Sequence, residues 1–170
     1  MFLDKDGTVV VNVPHNVDPA RIVLARGADH AVRTLAGRGY RVIVVSNQPG
    51  AALGLFAEEA LKGVQAHLAK TLPALDGFYY CAHRPYAGCG CRKPDTGLLE
   101  QAAQEHELDL SASWMIGDIL DDIEAGRRAG CRTILLDVGN ETEWRMSEAR
   151  SPHHVAADLA EAAAIIAGAQ

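Results

Sequence analysis

The chain has 170 residues, a length that favours one hydrophobic core, and its 48% hydrophobic and 22% charged residues are ordinary for a globular protein. Sixteen basic against 22 acidic residues give a net charge of −6, which argues against nucleic acid or an anionic membrane as the main partner while leaving room for a small anionic substrate at a locally basic site. No apolar run reaches membrane-spanning length, Met1-Phe2-Leu3-Asp4 has neither the basic segment nor the long apolar stretch of a signal peptide, and a cytoplasmic location is the expectation.

Short β-branched runs alternate with helical spacings, without repeat, low-complexity tract or linker. Residues 1–4 predict a first strand that ends in two carboxylates, Asp4 and Asp6, before a Gly7-Thr8 turn. Residues 9–24, with Pro14 and Pro19, predict an irregular flap. Val32, Leu35 and Ala36 share a helix face, and Gly37 and Gly39 stop that helix. Residues 41–45 are nearly all apolar, as in a strand buried on both faces. Leu61, Val64, Leu68 and Leu72 mark a helix of about four turns. Gly77 to Tyr80 is a strand, and 81–95 a Cys/Gly/Pro loop. Leu98, Ala102 and His106 mark a helix, Trp114 to Ile116 a strand, 119–129 a helix stopped by Gly130, and Thr133 to Leu136 a strand. Val155 marks a short last strand. Asp158, with Glu161 three residues on, opens a final helix whose apolar face is Leu159, Ala162, Ala163 and Ile166.

This alternation predicts a three-layer, Rossmann-like α/β fold: a parallel sheet with helices on both faces. Ligands then bind outside the carboxyl ends of the strands. Asp4 and Asp6 follow the first strand. Ser46, Asn47 and Gln48 follow the second, and the loop after the third ends in Arg92 and Lys93. Gly117, Asp118 and Asp122 follow the fourth. All four polar clusters fall on one edge.

Carboxylates with pKa near 3.9 are ionised at neutrality, and two at one strand end repel unless a cation joins them. A third from Asp118 makes an oxygen-rich, incomplete ligand set that suits magnesium. A hydroxyl (Ser46), an ammonium (Lys93) and that ion suit a phosphoryl group. One aspartate is then free to attack phosphorus, and the other to protonate the leaving oxygen and later activate water.

Asp4-Lys5-Asp6-Gly7-Thr8, Ser46-Asn47-Gln48, Cys91-Arg92-Lys93-Pro94 and Gly117-Asp118 with Asp122 resemble, in order, the four motifs of the haloacid dehalogenase (HAD) superfamily. With Cys81-Ala82-His83 and Cys89-Gly90-Cys91, the chain resembles the zinc-bearing branch that holds the heptose-bisphosphate phosphatases and the histidinol-phosphatase domain. The resemblance implies Asp4 as nucleophile and Asp6 as general acid/base, its backbone carbonyl also touching magnesium. It implies Ser46 and Lys93 on the phosphoryl oxygens, Asp118 completing the magnesium site, and Asn47 and Arg92 on the substrate. Asp122 is expected to support the metal or the lysine, and His15 to read the substrate if the flap covers the site. The 37 residues between Thr8 and Ser46 and the 46 between Ser46 and Lys93 leave no room for a cap domain. The expectation is therefore one capless HAD-like domain over 1–170, a monomer acting on a small phosphorylated metabolite, with loops 10–20, 49–56 and 83–90 shaping the pocket.

Cys81, His83, Cys89 and Cys91 supply three sulfurs and one imidazole, a tetrahedral zinc set with no open position and hence a structural brace at 81–91. Cys131 is expected to be a buried, inert thiol. Asp121 is expected on an exposed helix surface, His153 and His154 on loop or strand surface, His106 in packing or at the surface, and Trp114 and Trp144 in packing. Ile119 stands where the branch usually has a basic residue, which removes one cation from the site. The preferred reading is a magnesium-dependent phosphatase acting on heptose 1,7-bisphosphate or a similar sugar through an aspartyl-phosphate. A histidinol-phosphatase is the closest rival. A phospho-accepting receiver or a non-catalytic zinc-braced module are the readings of other classes.

Overall fold

The computed structural model describes residues 1–169. Six parallel strands run in the order β3-β2-β1-β4-β5-β6: β1 Phe2–Leu3, β2 Ile43–Asn47, β3 Gly77–Cys81, β4 Trp114–Gly117, β5 Arg132–Leu136 and β6 His154–Ala156. The helices are α1 Ala28–Gly37, α2 Ala60–Thr71, α3 Gly97–Glu105, α4 Leu120–Arg128 and α5 Leu159–Gly168. This is the doubly wound Rossmann order, not the 2-1-3-4-5 order of receiver folds.

Side-chain alternation along the strands sends residues into two cores. Leu3, Val44, Ile116 and Ile134 pack with α1, α2 and α5 through Val32, Leu35, Val64, Leu68, Leu159 and Ile166. Phe2, Ile43, Val45 and Met115 pack on the other face with α3 and α4 through Leu98, Leu99, Ala102 and Ala125. Each Val, Leu, Ile, Phe or Met side chain among these contributes about 1.5–3 kcal/mol when taken from water, so both faces are firmly covered.

Most element boundaries follow the sequence pattern, and the shifts have local causes. β2 starts at Ile43 rather than Arg41 because Val42 N donates to Asp76 Oδ2 at 2.8 Å while Arg41 pairs with Asp76 Oδ1 at 2.7 Å. It runs on to Asn47, whose register partner is Cys81. Before α5, Asp158 accepts from Glu161 N at 2.9 Å, but Glu161 reaches back to Ala157 N rather than to the cap residue. The flap is irregular, with a 3-10 turn at Pro19–Arg21, and its base is pinned by Val11 N donating to Val23 O and Ala25 N to Val9 O, both 2.9 Å.

β1 is only two residues long, yet it pairs with both β2 and β4, with Phe2 opposite Ile43 and Met115. Asp4 N extends the ladder by donating to Ile116 O at 2.9 Å. The strand order reverses here, so Asp4 leaves the sheet at its topological switch point, where a crevice forms in doubly wound sheets.

Candidate active site

Lys93 organises the site. Its ammonium, fully buried, lies 2.5 Å from Asp4 Oδ1 and 2.6 Å from Asp122 Oδ1, and donates to Val45 O at 2.8 Å. Burial alone would lower its pKa, but the charges of Asp122 and Asp4 outweigh that and raise it above the usual lysine value. Its backbone is clamped by Asn47, whose Oδ1 accepts from Lys93 N and whose Nδ2 donates to Lys93 O, both at 3.0 Å. Asn47 was expected on the substrate. In the structure its amide is engaged at both ends with the Lys93 backbone.

Oxygens of Asp4, Asp118 and Asp122 lie within 4.8 Å of one another, all three residues buried. Asp118 Oδ2 accepts from Asn140 Nδ2 at 2.8 Å, and Oδ1 from Thr8 Oγ1 at 3.3 Å. Burial first, then the charge of Asp4, pushes the Asp118 carboxyl up to about 7. Burial pushes Asp122 up to about 8 against the pull of Lys93. Three carboxylates against one ammonium leave excess negative charge in a buried pocket, an arrangement a divalent cation relieves. The oxygen-only donor set fits magnesium.

Two glycines make this approach possible. Gly7 sits at φ +85°, and a β-carbon there would run into Asp118 and Asn140. A β-carbon on Gly117 would strike the Asp122 side chain. Asp122 is also the third residue of α4, where its Oδ2 accepts from Ile119 N at 3.3 Å, so one carboxylate caps the helix and holds Lys93.

Asp6 turns away from the carboxylate cluster. Its Oδ1 pairs with the buried Lys5 ammonium at 2.8 Å, and its Oδ2 accepts from Gln48 Nε2 at 2.8 Å. The same Gln48 nitrogen donates to Ser46 Oγ at 2.8 Å. Burial raises the Asp6 pKa, with Lys5 opposing and Asp4 adding to the rise. A carboxyl held above its usual range is suited to giving and taking protons.

Cys81, His83, Cys89 and Cys91 converge as expected. His83 Nδ1 lies 3.5 Å from Cys81 Sγ and 3.3 Å from Cys91 Sγ, and Cys89 Sγ lies 3.7 and 3.4 Å from the same two sulfurs. A tetrahedral site with Zn–S bonds of about 2.3 Å has sulfur–sulfur edges of about 3.8 Å, so this set fits zinc. The loop it closes runs directly into Arg92 and Lys93. Arg92 lines a cleft of about 460 Å³ with Lys93 and loop 85–89, and its Nη1 is buried without a hydrogen-bond partner. Loop 49–56 borders a separate cleft that reaches His83.

Other expectations meet mixed outcomes. His15 stands exposed in a left-handed turn at φ 56°, and among the described residues no hydrogen bond ties it to the site. Asp121 is not merely solvated: it and Glu124 hold Arg150 at 2.7 and 2.6 Å. Ile119 lines a cleft whose cations are both engaged, Arg145 by Glu143 and Arg150 by Asp121 and Glu124. Trp114 is buried, but Trp144 is 52% exposed, because 137–147 contains no helix or strand to create a face that would cover it. His106 packs edge-on to Tyr79, and its Nε2 lies 3.1 Å from the hydroxyl. Exposed His153 uses Nδ1 to accept from Thr133 N at 3.0 Å, and exposed His154 lies with its ring 5.8 Å from that of Trp114. Cys131 is buried, and its thiol is pushed up to about 12 by burial.

Lys5 and Gln48, which the motifs contain but to which no role was assigned, and Asn140, which they do not contain, also hold site side chains. Asn140 follows β5 at the same sheet edge as the four motifs, so the rule that found those motifs, extended by one strand, selects its loop too.

The chain is similar to known proteins over most of its length. A HAD-hydrolase-like family model matches residues 90–162. A D-glycero-β-D-manno-heptose-1,7-bisphosphate 7-phosphatase of Photorhabdus laumondii is 37% identical over 149 residues, covering 80% of this chain and 78% of the relative. A D-glycero-D-manno-heptose-1,7-bisphosphate 7-phosphatase of Chlorobaculum tepidum is 34% identical over 180 aligned positions, covering 95% and 90%. The crystal structure of a D,D-heptose 1,7-bisphosphate phosphatase from B. bronchiseptica, complexed with magnesium and phosphate, superposes with a TM-score of 0.86 at 30% identity, covering 100% of this chain and 98% of the other. No helix among the described residues is long and apolar enough to cross a membrane.

Proposed function

The chain belongs to the heptose-1,7-bisphosphate phosphatase family of HAD-like hydrolases, and we propose that it removes the 7-phosphate of a heptose 1,7-bisphosphate, or of a closely similar phosphorylated sugar, with Asp4 as nucleophile. The observation that carries the residue assignment is the meeting of Asp4, Asp118 and Asp122 around the buried ammonium of Lys93 at the switch point of the sheet.

In this reading Lys93 holds Oδ1 of Asp4 and leaves the other carboxylate oxygen to attack phosphorus. The bond from phosphorus to the sugar oxygen breaks, and the phosphoryl group passes to Asp4. Asp6 gives a proton to the departing oxygen. It then takes one from a water molecule that attacks the aspartyl-phosphate, which frees inorganic phosphate and restores Asp4. Ser46 and Lys93 donate to the phosphoryl oxygens, and Arg92 meets the rest of the substrate. Asp4, Asp118 and the Asp6 carbonyl would hold magnesium, which when bound would supply positive charge for phosphoryl transfer and relieve the repulsion among the carboxylates. Zinc on Cys81, His83, Cys89 and Cys91 braces the loop that presents Arg92 and Lys93. Residues 1–170 work as one capless catalytic domain.

Phosphate release from a panel of phosphorylated metabolites, with magnesium present, tests this. Heptose 1,7-bisphosphate is expected to be the preferred substrate, with many turnovers per chain, and Asp4→Asn to abolish release while leaving the fold intact. A strong preference for histidinol phosphate rejects the substrate, and an active Asp4→Asn chain rejects the nucleophile.

A further inference from the structure

The cleft beside Lys93 carries one large side chain that this chemistry leaves unused. Tyr86 lies on its wall with Arg92 and Lys93, and the rest of that loop wall is Pro85, Ala87, Gly88 and Cys89. Tyr86 is fully exposed, and among the described residues neither its ring nor its hydroxyl has a partner. Its backbone is left-handed, at φ 64°. The same loop is left-handed at two further positions, Gly88 at φ 66° and Gly90 at φ 68°, and both are glycine. Glycine adopts that conformation without steric cost, whereas a bulky residue crowds its own β-carbon against the backbone.

The loop therefore accepts strain at one of its three left-handed positions and gains no contact within the chain in return. An outlier of this kind points to a use outside the chain. The loop is well anchored for such a use: Arg84 Nε donates to Ala52 O at 2.9 Å, and the Cys/His cluster closes its base. The cleft wall, bordered by Lys93, offers a guanidinium with a buried unpartnered nitrogen and one aromatic face. Sugars combine phosphate and hydroxyl groups with apolar C–H faces, and such faces pack on aromatic rings.

We propose that Tyr86 is a specificity-determining residue, its ring packing against the carbon skeleton of the sugar while the phosphoryl group lies beside Asp4 and Lys93. This rests on the sugar-phosphatase reading above. Tyr86→Gly and Tyr86→Phe test it, with kcat/KM measured for heptose 1,7-bisphosphate and for acetyl phosphate, which has no sugar skeleton. The ratio of the two kcat/KM values is expected to fall about three- to tenfold in the glycine variant, mainly through KM for the bisphosphate, and to be retained in the phenylalanine variant. Melting temperature is not expected to fall in the glycine variant, since glycine relieves the strain. A glycine variant with the parental ratio, or one whose two substrates weaken in parallel, overturns the proposal. An unmodified chain that hydrolyses acetyl phosphate but not the bisphosphate sinks the substrate reading and takes this proposal with it.

Discussion

Asp122 Oδ1 lies 2.6 Å from Lys93 Nζ at full burial, although Asp122 has no place in the proposed transfer of the phosphoryl group. The ammonium is shared between Asp122 and Asp4, so Asp122 determines how firmly Lys93 leans on the nucleophile. Removing one partner of a buried ion pair commonly costs 3–5 kcal/mol, and here Asp4 remains to offset part of that. Asp122→Asn is expected to keep the helix cap, since its amide oxygen still accepts from Ile119 N, but to lower kcat by about tenfold or more. Steady-state kinetics with a circular dichroism control checks this, and parental kcat would show that Asp4 alone positions the lysine.

The same carboxylates set a pH dependence in the absence of magnesium. Asp118 and Asp122 are raised to about 7 and about 8, mainly by burial, against about 3.9 in an unfolded chain. A carboxyl with a raised folded pKa adds stability that is complete below its unfolded value and is lost as pH rises through the folded value. The magnesium-free chain is therefore expected to melt at a lower temperature at pH 9 than at pH 6, and Asp118→Asn to narrow the difference. Thermal melts at the two pH values measure it. Equal melting temperatures, or a higher one at pH 9, contradict the raised values.

The strand-end pattern made the site legible in advance because a parallel sheet delivers every strand's exit to one edge. Asp4, Ser46, Lys93 and Asp118 needed only that rule and the identity of the residues. The different contacts of Asn47 and Gln48 needed side-chain direction. Successive residues on an extended chain point oppositely, so Ser46 and Gln48 share the face toward Asp6, and Asn47 faces the backbone of Lys93. Asp122 was foreseeable as one helical turn beyond Asp118. The same rule applied to β5 reaches the loop of Asn140, but the placing of its side chain over Gly7 needed the fold, because that loop has no regular structure.

The metal-braced loop makes a separate prediction. Purified protein is expected to carry about one zinc per chain by elemental analysis. In that state Cys89 and Cys91 resist alkylation, and they react after zinc is stripped, while Cys131, buried with its thiol pushed up to about 12, stays unreacted until the chain unfolds. Stripping zinc loosens the loop ahead of Arg92 and so is expected to raise KM. Protein that contains no zinc and whose Cys89 and Cys91 alkylate at once rejects the brace.

Gln48 makes the most direct prediction about proton transfer. One buried amide nitrogen donates to Asp6 Oδ2 and to Ser46 Oγ, both at 2.8 Å, and so links the proposed acid/base to the hydroxyl proposed to hold the phosphoryl group. Gln48→Leu removes both donors while keeping much of the volume. Asp6 then rests on Lys5 alone, and Ser46 Oγ loses the donor it accepts from. Well-placed general acid–base groups contribute about 100- to 10,000-fold, so misdirecting one without deleting it is expected to lower kcat by about tenfold to 100-fold. Gln48→Glu places another carboxylate against Asp6 and is expected to shift the pH–rate profile upward, because a neighbouring negative charge favours the protonated form of Asp6. A leucine variant with parental kcat, together with a glutamate variant with the parental pH profile, would leave Gln48 as packing alone.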